Sequence, residues 1–342
     1  MGMLDIFNDD AFSVVSLTDA INKLKFVPGR IEQLGLFAAS GVPTTTVVIE
    51  EKDGILTLVA PTPRGGPGST ITKTGRTARP FIVPHFEIND AVMAEEVQNV
   101  RAWGSETALE MVQGKVAERL GVHTQSLEAT IEYARIGAVK GIVTYADSST
   151  LNLFTEFGVS QEAEIDFDLD NATPASGALR KKCAVATRLI GNNLEATTYT
   201  GVHSFCGDAF FDELIAHPEV VDSYLGTPMA TVLREGYVLP NGSKIFGAFE
   251  FGGIVWENYR GKVGTTDFIN TDKCHIFPTG VPNLFRSYFA PADYMETVNT
   301  IGQRTYAKQY EMQNGKGVHL DTQTNILSLC TRPKALLLGK RT

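Results

Sequence analysis

The chain has 342 residues, 43% apolar and 20% charged, which excludes a disordered polymer and is more than one small core usually occupies. A net charge of −9 and a sequence pI of about 5.3 exclude a protein that grips nucleic acid through a basic face, although a container around nucleic acid has no need of such a grip. Two lobes, or one domain with extended arms, are expected. Residues 1–43 read as an arm: Phe7, Phe12, Val14, Val15 and Leu17 are apolar without a period, and only Thr18–Lys25 suggests a short helix. Thr44–Glu51 and Gly54–Ala60 are β-branched runs joined by an Asp53-Gly54 turn signal. Pro61–Gly68 can be neither helix nor regular strand, and the strand-like Ser69–Val83 after it carries Lys73, Arg76 and Arg79. A long hairpin with this basic half and a Pro/Gly tip has no core of its own, so it is expected to project. The tip Arg64-Gly65-Gly66 lacks the spacing of a phosphate-cradling loop.

A short helix is expected from Asn89 or Asp90 to Val100. A long one is expected to follow, because Leu109, Val112, Val116, Leu120, His123, Leu127, Ile131, Ala134 and Ala138 recur at the helical period. Gly114 and Gly121 are candidate bends. His123 lies on the apolar stripe, where a satisfied core histidine is the expectation. If continuous, Ser105–Gly137 would run about 50 Å. Beyond Gly141 the reading turns to strands: Ile142–Ala146 and Leu151–Phe157 around Asp147-Ser148-Ser149, then an alternating Ala163–Asp170 with an acidic outer face. Asn171–Gly177 reads as a linker into a second lobe. That lobe has a helix at Asp208–Ala216, a restart near Glu219, a turn at Asn241-Gly242, and strands at Lys244–Phe251 and Gly253–Trp256. Pro-punctuated Phe277–Ala292 leads to final strands at Ile326–Cys330 and Ala335–Leu338.

Chemistry is sparse. Cys183, Cys206, Cys274 and Cys330 are scattered, as reduced and buried thiols are, and lack the paired spacing of a zinc site. No apolar run approaches a membrane span. The best enzymatic candidate is His203-Ser-Phe-Cys-Gly-Asp208, with Cys206 near a helix start as a nucleophile and Asp208 as an N-cap. Histidine and cysteine three residues apart seldom meet as base and nucleophile. No metal, cofactor or catalytic residue is therefore assigned, and the weight moves to surfaces that pair with copies of the chain.

The order arm, long hairpin, long helix, mixed β body, inserted lobe and β return resembles the shell subunit of tailed phages, the HK97-like α+β fold. Arg76-Thr-Ala-Arg-Pro80, Val97–Gly104, Thr130–Tyr133, Phe210–Leu214 with His217-Pro218, Ala290–Asp293, Val298–Thr300, Tyr306–Lys308 and Ser328–Pro333 look like the lambda E-type major capsid family. The resemblance implies an N-terminal arm (1–43), an E-loop (44–86), a spine helix region (87–140), a P-domain (141–170 and 285–342) and an A-domain (171–284). It also implies hexamers and pentamers closing an icosahedral shell around double-stranded DNA, a location in the virion, and assembly in the host cytoplasm. A separate scaffolding protein is expected because so little precedes the first strand, together with a portal; the presence of a decoration protein is left open. Arg64, Gly65, Gly66, Lys73, Arg76 and Arg79 are the expected inter-subunit contacts. The alternatives are an encapsulin-like nanocompartment shell on the same fold and, from another class, a cysteine hydrolase centred on Cys206.

Overall fold

The computed structural model describes residues 29–52, 76–98, 112–171, 173–195, 197–224, 237–238, 244–245, 247–263 and 266–342. The chain divides into two units, and it passes between them more than once. Ser40–Thr124 and Tyr288–Leu327 belong to one, and Gln125–Ser287, Ser328–Thr342 and the stretch through Ala39 to the other.

The larger unit is built on a mixed six-stranded sheet in the order Ala248–Phe251, Ile254–Asn258, Gly201–Cys206, Lys273–Thr279, Leu337–Lys340, Ile165–Asp166. Gly252 and Gly253 close the first hairpin at φ 63° and 80°, the left-handed pair that a tight two-residue turn requires. A side chain on Gly252 would also meet the Cys183 Sγ at 2.9 Å. Helix Ala178–Leu194 packs on the sheet through Leu179, Cys183, Ala186, Ile190 and Leu194. Their spacing of 4, 3, 4 and 4 is a helical stripe that the sequence reading passed over. Helices Asp208–Ala216 and Pro218–Tyr224 occupy the predicted places, with Phe210, Phe211 and Leu214 buried.

Two predicted strands of this unit are not strands throughout. Leu153–Phe157 is a helical turn, because the Asn152 side chain accepts from the Phe154 and Thr155 amides at 3.0 and 3.3 Å and Gly158 closes it at φ 64°. In Ala163–Asp170 only Ile165–Asp166 pairs with the sheet. The chain then turns at Asp168, φ 54°, whose amide is held by the Asp166 carboxylate. Phe167 and Leu169 still reach the core, so the alternation was a true record of burial.

The smaller unit has a three-stranded antiparallel sheet of Tyr306–Glu311, Gly317–Thr324 and Phe86–Met93. Phe86–Met93 corrects the helix expected from Asn89 or Asp90: its residues alternate between the two faces of the sheet, and only Ala94–Val97 is helical. The long helix is present as Val112–Lys140, 29 residues or about 43 Å, unbroken at Gly114 and Gly121. Within the smaller unit it contributes Val116 and Leu120 to a core with Val92, Ala307, Val318 and Leu320.

Candidate self-association surfaces

The cysteine candidate fails on geometry. Gly201–Cys206 is a strand, so side chains three apart leave by opposite faces. His203 packs with Phe205 and Phe277, while Cys206 faces the cluster of Val202, Ile276 and Trp256. Burial and the adjacent Cys206 push the Cys274 thiol well up, and burial lifts Cys183 and Cys330 to about 12. All four cysteines are buried and free, closed inside the fold away from any substrate. Asp208 is not the cap either: Gly207 holds that position, and Asp208 pairs with Arg260 at 3.2 Å. Among the described residues no group of three or more His, Cys, Asp or Glu could hold a metal, and no helix is long and apolar enough to cross a membrane.

The polar chemistry that is present holds structure. In the larger unit His203 Nε2 lies 2.8 Å from Glu257, and Arg30 forms a two-pronged pair with the same carboxylate. Burial would raise the Glu257 carboxyl, but the His203 and Arg30 hydrogen bonds outweigh it and hold the group below its usual value. Glu132 accepts from the Ile31 amide and the Tyr259 hydroxyl, both at 3.0 Å. Burial pushes Glu132 up, and burial with Glu132 beside it pushes the Tyr259 phenol far up. Arg135, 2% exposed, pairs with Glu32 and bonds Ser287 at 3.3 Å. Three separate contacts thus fasten residues 30–32 to the body. In the smaller unit His123 lies 3.1 Å from Thr322 and 3.2 Å from Asp90, which also takes Arg119 at 3.1 Å. The core-histidine expectation is met. Burial and the neighbouring Glu87 raise the Asp321 carboxyl to about 6; Glu87 is held low despite its own burial by bonds to His85, Asp321 and Asn89.

Large apolar side chains stand exposed on a hairpin and on one loop. Thr46–Lys52 pairs antiparallel with Arg76–Ile82, as the hairpin expectation required. One face buries Val47 and Phe81, at 7% and 3% exposed; the other presents Val48 at 58% and Ile82 at 79%, with Pro80 paired opposite Val48. Among the described residues this sheet is two-stranded. Of the predicted contact residues, Arg79 stands opposite Ile49 on the Val47 face, and Arg76 is paired in register with Lys52. Arg64, Gly65, Gly66 and Lys73 lie outside the described residues, as do the Asp53-Gly54 and Asn241-Gly242 turns. Sequence reasoning missed Met295, Val298 and Ile301, exposed by 89%, 57% and 70% in one loop. Apolar residues at every third position behind a proline were the available signal.

Known proteins resemble this chain along nearly its whole length. The chain is 28% identical over 351 residues to the major capsid protein of Pseudomonas phage KPP10, covering 96% of this chain and 97% of that one. It is 25% identical over 367 residues to the major capsid protein of Salmonella phage Felix O1, covering 98% of each. Among solved structures, the putative capsid protein of an Escherichia coli CFT073 prophage superposes with a TM-score of 0.56 at 8% identity, over 96% of this chain and 99% of that one. That likeness gives the fold, the HK97-like α+β architecture read from the sequence. The model of the family described as phage major capsid protein E matches residues 13–341, and the chain therefore belongs to the phage major capsid protein E family.

Proposed function

We propose that this protein is the major capsid subunit of a tailed phage, assembling as hexamers and pentamers into an icosahedral shell around double-stranded DNA. The observation that carries the reading is the hairpin: an apolar outer face of Val48, Pro80 and Ile82, exposed on a two-stranded sheet. A solitary soluble protein pays for such a surface in aggregation, whereas a shell subunit covers it with a neighbour. The relatives named as major capsid proteins match along nearly their whole length, which supports the same assignment.

In this reading residues 1–43 are the arm, 44–86 the E-loop lying across an adjacent subunit, and 87–140 the spine region. Residues 141–170 with 285–342 form the P-domain, and 171–284 the A-domain at capsomer centres. Arg64, Gly65, Gly66, Lys73, Arg76 and Arg79 meet neighbouring subunits along the E-loop. A scaffolding protein and a portal take part in assembly. The net charge of −9 lets DNA slide past the inner wall without sticking. No step needs a cofactor or a catalytic residue, because the work is done by burial between copies, at about 25 cal/mol for each Å² of apolar surface covered.

The test is negative-stain electron microscopy with size-exclusion chromatography of the expressed chain, alone and with a candidate scaffolding protein. Closed shells or isolated capsomers are expected. A chain that stays monomeric at high concentration in both settings would refute the reading.

A further inference from the structure

The loop Pro291–Gln303 combines exposure with rigidity. Met295, Val298 and Ile301 point outward at 89%, 57% and 70% exposure, yet the backbone beneath them is bolted down. The Thr297 hydroxyl donates to the Ala292 and Tyr294 carbonyls at 2.7 and 3.0 Å, and Thr300 donates to the Thr297 carbonyl at 2.7 Å. The Asp293 amide donates to Gln323 at 3.1 Å, and the Gln303 amide to the Tyr306 hydroxyl at 2.7 Å. Asn299 turns the chain at φ 60°. Gly302 bonds Val42 at 3.0 Å, in a space so close that a Cβ there would sit 2.0 Å from the Phe289 carbonyl oxygen. A surface already ordered loses little entropy when it is covered.

We propose that this loop is a preformed apolar contact for a second copy of the chain, resting on the shell reading above and adding to it an interface apart from the E-loop. Charge selects the occupant. Copies with a net charge of −9 repel, so they meet best where carboxylates are absent or neutralised. Residues 297–303, which hold Val298 and Ile301, carry no charge, and Glu296 is paired with Lys308 at 2.6 Å; the exposed Asp293 lies outside that run. Tyr310, 49% exposed, follows Lys308 on the same face of its strand and extends the patch with an aromatic of the kind that anchors interfaces. The three aliphatic side chains expose on the order of 400 Å², short of the roughly 800 Å² a side in a stable two-body complex. The patch therefore fits one of several contacts around a shell subunit, and not a free dimer.

All four native cysteines are buried, so a single surface cysteine reports cleanly. Particles carrying Ile301→Cys are expected to give covalent dimers with a short bismaleimide, while the same protein before assembly gives none. The double variant Val298→Asp/Ile301→Asp is expected to melt as the parent does and to yield at least tenfold fewer particles. If particles form, no crosslink appears and the double variant assembles at parental yield, the contact is overturned while the shell reading stands. If the parent itself forms no particles with scaffolding protein present, the shell reading falls and the contact with it.

Discussion

The two units put their apolar side chains to different uses. In the larger one, aromatics are interior: Trp256 stacks on Phe210 at 5.9 Å and meets Phe167 edge-on at 5.4 Å, with Phe205 and Phe277 in contact at 5.0 Å. In the smaller one the sheet and helix enclose small aliphatics, Val92, Val116, Leu120, Ala307 and Val318, beside the Asp90–His123–Thr322 hydrogen bonds. Its large aliphatics Ile82, Met295 and Ile301 face outward. The first unit is stabilised by what it buries in itself. The second also buries aromatics, Phe81, Tyr294 and Tyr306, yet leaves those three large apolar side chains in the open.

The comparison breaks most sharply at Trp256. It is 0% exposed, and its indole N–H donates to the Phe251 carbonyl at 3.0 Å. Trp256→Ala should cost about 3–5 kcal/mol by denaturant unfolding, whereas His123→Ala in the smaller unit should cost about 1–2 kcal/mol. Equal losses would erase the distinction. Next comes Glu257→Ala, which takes the carboxylate from the Arg30 guanidinium and the hydrogen-bond partner from His203 Nε2; a loss of about 3 kcal/mol is expected in the same assay.

These contrasts were partly legible in the sequence. The period through Val116, Leu120, Leu127 and Ile131 gave the long helix, and β-branched Thr46–Glu51 gave the hairpin's first strand, because periodicity records which side is buried. Phe86–Met93 was misread because Asn89 and Asp90 resemble a helix cap; only the register with Gly317–Thr324, more than 200 residues away, makes them strand. Helix Ala178–Leu194 was overlooked although its stripe is regular, since Cys183 and Ala186 are weak apolar markers. The paired charges at Arg30 and Glu257 could not be read, because ion pairs between distant residues leave no local pattern. As for surfaces, the basic residues of the hairpin stand out in the sequence, while exposed aliphatics such as Met295 and Ile301 carry no local mark of exposure.

A pH series sharpens the contrast within the smaller unit. The Asp321 carboxyl is raised from 3.8 to about 6, by burial first and then by Glu87. A group raised in the folded state favours folding when protonated, so its contribution is full below pH 3.8 and is lost as pH rises through 6. Asp321→Asn removes that titration. Its melting temperature relative to the parent should therefore climb between pH 4 and 7 and then level, as scanning calorimetry would read. A constant difference across that range would place the proton elsewhere.

The smallest effect on stability belongs to the most informative substitution. Ile82 is 79% exposed opposite Thr46, at the end of the hairpin's outer face. Ile82→Glu removes no internal packing, so unfolding should shift by no more than about 0.5 kcal/mol. A carboxylate there would nonetheless have to be desolvated beneath a neighbouring subunit, at a cost of several kcal/mol for an unpaired charge. Particle yield should collapse while the melting curve stays in place. If the curve moved and the yield did not, the outer face would be serving its own unit, and the two interiors would differ in composition without differing in purpose.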